Sequence, residues 1–354
     1  MALIFAEHCD SWASLGTASA EARGWMEYGS PSGSSIYATG GVTGGGSIRR
    51  DNANDNYPRG WYREVTGVTA SSVHSALWFK CSNAGTGSYA YYLSRVTVGG
   101  NYCGILSKVS GATTMGLVVP VGASGTLAGS CTTNVCDNGW HYLEIEIVLH
   151  TSAGTAKMWV DGALEVNFSG ATASSSAPLA VTRWQVGGHA SSSYLDDLIL
   201  WTDTDNGDGW TTNLGGGVRI FKTVRPTSDA AVEFTRSTGA TSYTLVDEQS
   251  VSSTDYVESG TDGHIDRYGF ADHGLADVTP HGVIVETHAS NPGAGAINVA
   301  LVAKLSSTIA EGPGVDVPGA YTVFQRHFPE KPGGGSWSLS DIDAATFGIK
   351  ADVP

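Results

Sequence analysis

Two acidic side chains, Glu144 and Glu146, occupy alternate positions of one predicted strand, where they could serve glycoside hydrolysis. A strand with a Glu-x-Asp-x-x-Glu register brings two carboxylates to the scissile bond, and a retaining hydrolase needs them about 5 Å apart. Here the middle acid is Glu146 rather than Asp, and Leu149 stands where the last acid belongs. The spacing argues against hydrolysis, and we expect both glutamates to lie on the solvated outer face of a half-buried strand.

Two oxygen-rich segments resemble metal loops in composition. Residues 203–209 read Asp-Thr-Asp-Asn-Gly-Asp-Gly, but Leu214 occupies the twelfth position, where an EF-hand has its bidentate Glu. We expect a polar turn between domains, with calcium as the alternative. Residues 262–266 (Asp-Gly-His-Ile-Asp) have no His or Cys partner at ligand spacing and predict a turn beside a strand. We therefore expect neither a metal nor any other cofactor.

The five cysteines contain no motif for a metal or redox site. Cys9, Cys81 and Cys103 are scattered, and we interpret them as small buried apolar residues. Cys131 and Cys136 bracket a Thr-Thr-Asn-Val loop and could form a disulfide in oxidising surroundings. Zinc needs four ligands, and no second pair completes such a set.

The elements that position these residues are predicted to be strands. The chain has 47 glycines and 15% charged residues, and apolar residues rarely recur at helical spacing. Alternation is clearest over residues 142–149, which predicts a half-buried strand. Asp161 and Gly162 form a two-residue hairpin turn, because both residue types tolerate positive φ. Most aromatic side chains, including Trp159 and Trp201, are expected to pack in the core rather than to stack against a bound sugar. Other predicted strands are residues 75–81, 89–98, 103–109, 115–121, 157–160, 164–168 and 195–201.

Beyond residue 213 a second set of strands is predicted. It includes residues 214–221, 231–234, 242–248, 283–288 and 296–305. The end of the chain predicts a single short helix, with Ser340 and Asp343 as a capping pair and Gly348 near its stop. The fold class is therefore all-β, with one short terminal helix.

The first set of strands resembles a known fold. Residues 139–144 (Gly-Trp-His-Tyr-Leu-Glu), residues 158–162 (Met-Trp-Val-Asp-Gly) and residues 195–198 (Leu-Asp-Asp-Leu) look like core strands of concanavalin A/laminin G-like jelly rolls. The resemblance implies a jelly-roll sandwich over residues 1–212 and a smaller C-terminal β domain over residues 213–354. It implies little about function, because this fold carries many activities.

The second set of strands is similar to part of a family of phage virion proteins, in which a jelly roll precedes a β module. The matching segments are residues 218–220 (Val-Arg-Ile), 246–248 (Val-Asp-Glu), 255–257 (Asp-Tyr-Val), Trp337 and 347–350 (Phe-Gly-Ile-Lys). The opening differs from the usual Asp-Gly-Phe-Asp of that family, having Glu-His-Cys-Asp at residues 7–10.

This resemblance implies a non-enzymatic component of a phage particle exterior, as a capsid decoration, tail-associated or fibre-like subunit. Its expected partners are other virion proteins and copies of itself, with a trimer favoured, assembled in the host cytoplasm and located on the virion surface. A lectin-like module that binds a host surface glycan is the alternative, and a polysaccharide hydrolase is the least favoured function. The net charge of -15 disfavours nucleic acid, and no apolar run is long enough for a membrane helix.

Overall fold

The computed structural model describes residues 2–7, 25–28, 34–37, 47–50, 60–81, 92–106, 114–187, 193–203, 222–247, 252–293 and 295–353. The chain divides into two compact units, residues 1–207 with 211–221, and residues 208–210 with 222–354. The predicted boundary between residues 212 and 213 falls outside the described residues. Each unit has its own cluster of buried apolar side chains.

The first unit is a jelly-roll sandwich of two antiparallel sheets, as the sequence predicts. The first sheet runs in the order β13-β12-β11-β6-β15-β4-β3, with β1 also paired to β15. Its strands are β1 (Ala2–Glu7), β3 (Ser34–Tyr37), β4 (Ser47–Arg50), β6 (Ser72–Cys81), β11 (Trp140–Val148), β12 (Gly154–Val160), β13 (Ala163–Gly170) and β15 (Ser193–Thr202).

The second sheet runs in the order β10-β9-β8-β7-β14-β5-β2. Its strands are β2 (Met26–Tyr28), β5 (Gly60–Ala70), β7 (Tyr92–Val98), β8 (Asn101–Leu106), β9 (Gly116–Val119), β10 (Thr126–Ser130) and β14 (Leu179–Gly187). Because side chains alternate along a strand, the two sheets meet through every second residue. The shared core includes Phe79, Val96, Leu143 and Trp184, all fully buried.

The hairpin from β12 to β13 turns at Asp161 and Gly162, which confirms the predicted two-residue turn. Their φ angles are 50° and 85°. Positive φ at both central positions is the geometry that matches the twist of the flanking strands.

The prediction of a solvated outer face on β11 was wrong. Glu144 is 1% exposed and Glu146 is 8% exposed, and Tyr142 on the same face is fully buried. The outer face of β11 is thus itself covered at Tyr142, Glu144 and Glu146. Alternating polarity predicted the strand correctly but could not show that its polar face would be buried.

The second unit is a smaller β unit around a third sheet, with order β16-β19-β25-β21-β22 and β23 paired to β21. Two separate ribbons pair β17 with β18 and β20 with β24. The strands are β16 (Pro226–Ala231), β17 (Thr235–Arg236), β18 (Val257–Glu258), β19 (Ile265–Phe270), β20 (Val283–Ala289), β21 (Asn298–Leu305), β22 (Thr308–Glu311), β23 (Val315–Asp316), β24 (Thr322–Phe328) and β25 (Thr346–Asp352).

Three details of this unit differ from the predictions. Residues 242–248 do not form a strand: Ser242–Leu245 is a 3₁₀ helix, because the carboxylate of Asp229 accepts the N–H groups of Ser242 and Tyr243. Residues 231–234 lie mostly beyond the end of β16. Residues 214–221 lie outside the described ranges.

The helix α1 (Leu339–Ala344) exists, but the predicted cap was wrong by two residues. Ser338 is the N-cap, and its side chain accepts the N–H of Asp341 at 3.1 Å. Asp341 in turn accepts the N–H of Ser338 at 3.1 Å, which completes a capping box. Gly348 lies within β25 instead of ending the helix. No helix in the described ranges has the length and hydropathy needed to cross a bilayer.

Candidate functional site

The outer surface of the second sheet carries a cluster of aromatic and cationic side chains. Cross-strand pairing places Arg95 of β7 opposite Gln185 of β14, and Gln185 opposite Tyr62 of β5. In the adjacent row Arg183 lies opposite Glu64 of β5. Their chain neighbours Trp61, Val96 and Trp184 belong to the core, so this set points the other way. The arginine–tyrosine face is defined here as Tyr62, Glu64, Tyr92, Arg95, Tyr102, Arg183 and Gln185.

Each arginine of this face packs on tyrosine. The guanidinium carbon of Arg95 lies 4.3 Å from the ring centroid of Tyr102 and 5.6 Å from that of Tyr92. The guanidinium carbon of Arg183 lies 4.5 Å from the ring centroid of Tyr62. Such stacking holds the guanidinium planes against the sheet while leaving N–H donors at their edges.

Hydrogen bonds fix the rest of the face. Arg183 donates to Glu64 Oε1 from Nε at 3.0 Å and from a terminal nitrogen at 2.5 Å, and this bond raises the pKa of Arg183. Arg95 donates to the side-chain oxygen of Gln185. The hydroxyl of Tyr92 donates to the carbonyl of Ser124 at 2.9 Å. Burial, together with nearby Cys103, raises the pKa of Tyr92 to about 12, so this hydroxyl stays a donor at neutral pH.

The face is open to a ligand. The side chain of Arg183 is 39% exposed and that of Glu64 is 43% exposed. Tyr62, Tyr92, Arg95 and Tyr102 are half-buried. Arg95 and Arg183 are diagonal neighbours on adjacent strands, a relation that separates backbones by about 7–8 Å. The two arginines therefore project from neighbouring positions on the same face of the sheet.

This face was not found from the sequence. Its members come from β5, β7, β8 and β14, and Glu64 and Arg183 are 119 positions apart. An alternation of polar and apolar residues in each strand was the available signal. It cannot show which strands become neighbours.

Glu144 and Glu146, the two acids at hydrolase-like spacing, lie in a buried row of the first sheet. Lys157 donates to Glu146 at 2.9 Å, and Glu146 is paired across the strands with His74. His74 stacks on Trp201 with ring centroids 5.1 Å apart. Burial lowers the pKa of His74 to about 4, so it is neutral at pH 7. A buried row of this kind gives a polysaccharide no access to Glu144 or Glu146.

The two oxygen-rich segments have structural roles where they are described. Asp203 Oδ1 accepts the N–H groups of Ser71 and Ser72, each at 2.8 Å, and so fixes the turn before β6. The rest of residues 203–209 lies outside the described ranges. Asp266 is fully buried and accepts from the N–H groups of Glu233 and Phe234 at 2.7 and 2.9 Å. As predicted, this segment is a turn beside a strand: residues 262 and 263 form the turn and Ile265 begins β19.

One cluster of metal-type ligands lies in the described part of the second unit. Asp272, His273 and Asp343 bring one ligand atom each within 4.8 Å of one another. Nδ1 of His273 accepts the N–H of Leu275 at 2.9 Å, and Nε2 lies 3.2 Å from Asp343 Oδ1. Since both ring nitrogens have protein partners, the cluster links α1 to the loop after β19. Asp272 and Asp343 are 71 positions apart in the sequence, so their spacing gave no signal.

The cysteine pair proposed from the sequence is not bonded in this structure. Cys131 and Cys136 are both buried thiols, as are Cys81 and Cys103. The N–H of Met115 donates to Cys131 Sγ at 3.1 Å. Burial of Cys81 and Cys103 agrees with their prediction as small apolar residues, and Cys9 lies outside the described ranges.

A histidine between two carboxylates braces the start of β11. His141 Nδ1 lies 2.7 Å from Asp161 and Nε2 lies 3.0 Å from Asp137. Asp161 also accepts the N–H of Tyr142 at 2.8 Å, which ties the hairpin turn to the strand. Burial opposes the charged imidazolium, but the two carboxylates together outweigh it and raise the pKa of His141.

This arrangement predicts a pH-dependent stability. A raised pKa in the folded state stabilises the fold fully below the unfolded value of about 6.5, and the stabilisation disappears as pH rises through the folded value. We expect His141→Gln to lower the free energy of unfolding by about 1 kcal/mol at pH 5.5 and by much less at pH 9. Urea titrations of both proteins at the two pH values measure this. An equal loss at both pH values would contradict the charged role of His141.

Comparisons with known proteins give similarity of fold only. No sequence profile of a known protein family matches the chain, and no curated protein sequence matches it. Solved structures that resemble it include an endo-beta-1,4-glucuronan lyase from Trichoderma reesei (12% identity, TM-score 0.39, 57% of this chain and 96% of the other). Alginate lyase Aly36B gives 12% identity and a TM-score of 0.43 over 56% of this chain and 96% of the other. The carbohydrate binding module CBM66 from Bacillus subtilis gives 10% and 0.31 over 50% and 94%.

Proposed function

We propose that this protein is a non-enzymatic, lectin-like binding protein whose arginine–tyrosine face holds an acidic glycan. The observation that carries this proposal is the pair of tyrosine-stacked guanidinium groups of Arg95 and Arg183 on adjacent strands. A guanidinium fork matches a carboxylate in two parallel hydrogen bonds. Tyrosine rings beside it offer the flat apolar surface on which the C–H face of a sugar ring packs.

The charges of the protein favour recognition of an acidic glycan through direct contacts over long-range electrostatic attraction. The chain carries a net charge of -15, so the protein as a whole repels a polyanion. Arg95 and Arg183 place two positive charges against the one negative charge of Glu64 on the face itself. Affinity would then come from direct hydrogen bonds to individual carboxylates, and neutral glycans of the same length would bind less tightly.

The hydrogen bonds within the arginine–tyrosine face support ligand binding rather than catalysis. Glu64 is held by Arg183, and Gln185 is held by Arg95. Tyr92 keeps its proton at neutral pH because its pKa is about 12. A general base needs a free position toward substrate and a pKa near the working pH. The carboxylate of Glu64 is engaged by Arg183, and the pKa of Tyr92 lies far above neutral pH.

Calorimetric titration with uronic-acid oligosaccharides tests the proposal. We expect Arg95→Gln and Arg183→Gln each to weaken binding about tenfold or more, because a hydrogen bond to a charged group contributes about 1.5–3 kcal/mol. Arg183→Lys keeps the charge but not the fork, so it should also bind more weakly. Neutral glucose oligosaccharides of equal length provide the ligand control.

Arg236→Gln is the matched control variant. Arg236 is 36% exposed and lies 3.6 Å from Asp229, a setting comparable with that of Arg183, but it belongs to the second unit. The Arg236→Gln variant should bind uronic-acid oligosaccharides as tightly as the unchanged protein does. Equal affinity for acidic and neutral oligosaccharides, or no effect of either substitution on the face, would contradict the proposed site. Release of new sugar ends during incubation would contradict a non-enzymatic role.

A second candidate function, a place on the exterior of a phage particle, is favoured by the core of the second unit. The segments that resemble virion proteins include Trp337 and β25. Trp337 packs against Phe347 with ring centroids 6.0 Å apart and donates from Nε1 to Phe328 O at 2.8 Å. β25 lies between β19 and β21 in the third sheet. Trp337 and Phe347 thus belong to the buried core of this unit.

We propose that the second unit attaches the protein to the particle and to further copies of itself, and that the first unit is presented outward. Protein truncated after Phe221 should keep a folded first unit but be absent from purified particles. Mass spectrometry of particles that carry the full-length or the truncated protein measures this. Incorporation of the truncated protein at normal occupancy would contradict attachment through the second unit.

A further inference from the structure

Three buried cysteines lie where the end of β6 meets the loop before β11. Cys81 is the last residue of β6, and its carbonyl accepts the N–H of Asn138 at 2.8 Å. Cys131 and Cys136 are the ends of the loop segment that precedes Asn138. Cys81 is fully buried, Cys131 is 3% exposed and Cys136 is 9% exposed.

The hydrogen bonds of the three thiols distinguish their partners. Cys136 and Cys81 are hydrogen-bonded to each other through their side chains. Cys131 instead accepts the N–H of Met115 at 3.1 Å and donates toward Thr133 O at 3.5 Å. Two thiols in hydrogen-bond contact are already close to the separation that a disulfide requires, whereas Cys131 is engaged with the backbone.

We propose that Cys81 and Cys136 form a disulfide when the protein meets a low-molecular-weight disulfide, and that Cys131 does not take part. The bond would join the end of β6 to the loop before β11, next to the Asn138–Cys81 backbone contact. It replaces the Cys131–Cys136 pairing that adjacency in the sequence suggests.

The chemistry is ordinary thiol–disulfide exchange with oxidised glutathione as the oxidant. The thiolate of Cys136, the more exposed of the two, attacks one glutathione sulfur and releases one glutathione. The thiolate of Cys81 then attacks the sulfur of Cys136 and releases the second glutathione. Two cysteine thiols are oxidised, one glutathione disulfide is reduced to two thiols, and the protons of the cysteines pass to the departing thiolates.

The rate should be slow at neutral pH. The hydrogen bond with Cys81 and burial raise the pKa of Cys136, so little thiolate is present. Cys103 does not compete, because its side chain is fully buried, out of reach of glutathione, and its thiol donates to Val96 O at 3.7 Å. Incubation at pH 8.5 to 9 should therefore accelerate the reaction strongly over incubation at pH 7.

Peptide mapping without reduction separates the two pairings. Trypsin places Cys81 in residues 81–95 and both Cys131 and Cys136 in residues 109–157. A Cys81–Cys136 bond joins these two peptides, and a Cys131–Cys136 bond leaves them separate. After incubation of the full-length protein with oxidised glutathione, we expect the joined pair in the unchanged protein and in Cys131→Ser. It should be absent in Cys136→Ser.

The oxidised protein gives a second readout that needs no variant. Closing a loop of this length constrains the unfolded chain, so the unfolding midpoint should rise by roughly 5–10 °C and return on reduction. A closed loop within residues 109–157, a stable glutathione adduct on Cys136 without the joined peptides, or no oxidation after prolonged incubation at pH 9 would each overturn the proposal.

Discussion

Gly348→Ala is expected to unfold the second unit or to lower its free energy of unfolding by at least about 3 kcal/mol. Gly348 lies in β25, opposite Arg267 of β19. A Cβ atom at this position would stand 1.9 Å from the carbonyl oxygen of Asp266 and 2.8 Å from the Cα of Arg267. These are backbone atoms of the neighbouring strand, so no rotation of a side chain relieves the contact, and the third sheet must open at its centre.

Gly239→Ala is the matched control in the same unit. Its Cβ meets nothing within 4 Å, and its backbone has no unfavourable φ, so we expect a change within about 0.5 kcal/mol. Urea unfolding followed by limited proteolysis shows which unit opens first. Equal midpoints for the two variants would contradict the close approach of β25 and β19.

Gly348 also shows why some local predictions from the sequence were wrong. A glycine a few residues after a helical pattern is typical of a helix end, and this pattern predicts one near Gly348. The actual cause is tertiary: β19 passes too close for a side chain. Likewise, Ser338 caps α1 through a local hydrogen bond with Asp341, one of two Ser/Asp pairs of equal spacing at residues 338–343. Residue types alone did not distinguish the two pairs.

The strands of the first unit were the most predictable elements. Alternation of Leu143, Ile145 and Ile147 with polar residues predicted β11, and the Asp161–Gly162 turn fixed the hairpin between β12 and β13. Both signals act over a few residues. The burial of Glu144 and Glu146 depends on what covers the far side of the sheet, which a period of two cannot encode.

The candidate site depends on long-range pairing and was therefore not predictable. Arg95 meets Gln185 across 90 positions, and Trp184 meets Ser94 across the same interval. A polar residue at every second position predicts an outward side chain but not its neighbour on the next strand. The arginine–tyrosine face becomes visible only when β14 is placed between β5 and β7.

Trp184 stabilises the core directly beneath that face, and its removal should have the largest effect in the first unit. It is fully buried, its ring centroid lies 5.6 Å from that of Trp25, and its Nε1 donates to Ser94 Oγ at 3.0 Å. We expect Trp184→Ala to lower the free energy of unfolding by about 3–5 kcal/mol, since a cavity of this size cannot collapse fully.

Two further variants separate packing from hydrogen bonding. Trp184→Phe keeps most of the apolar ring but loses the donor to Ser94, whose hydroxyl still has Ser75 as a partner at 3.0 Å. Trp184→Phe should therefore lower the free energy of unfolding by much less than Trp184→Ala does. Leu164→Ala, at a side chain 49% exposed, should change stability by less than about 0.5 kcal/mol.

Because Arg183 and Gln185 flank Trp184 in β14, Trp184→Ala should also weaken acidic-glycan binding even where the protein remains folded. Unchanged stability of Trp184→Ala would contradict its place in the core, and unchanged binding by a destabilised variant would show that the face is held in place without it.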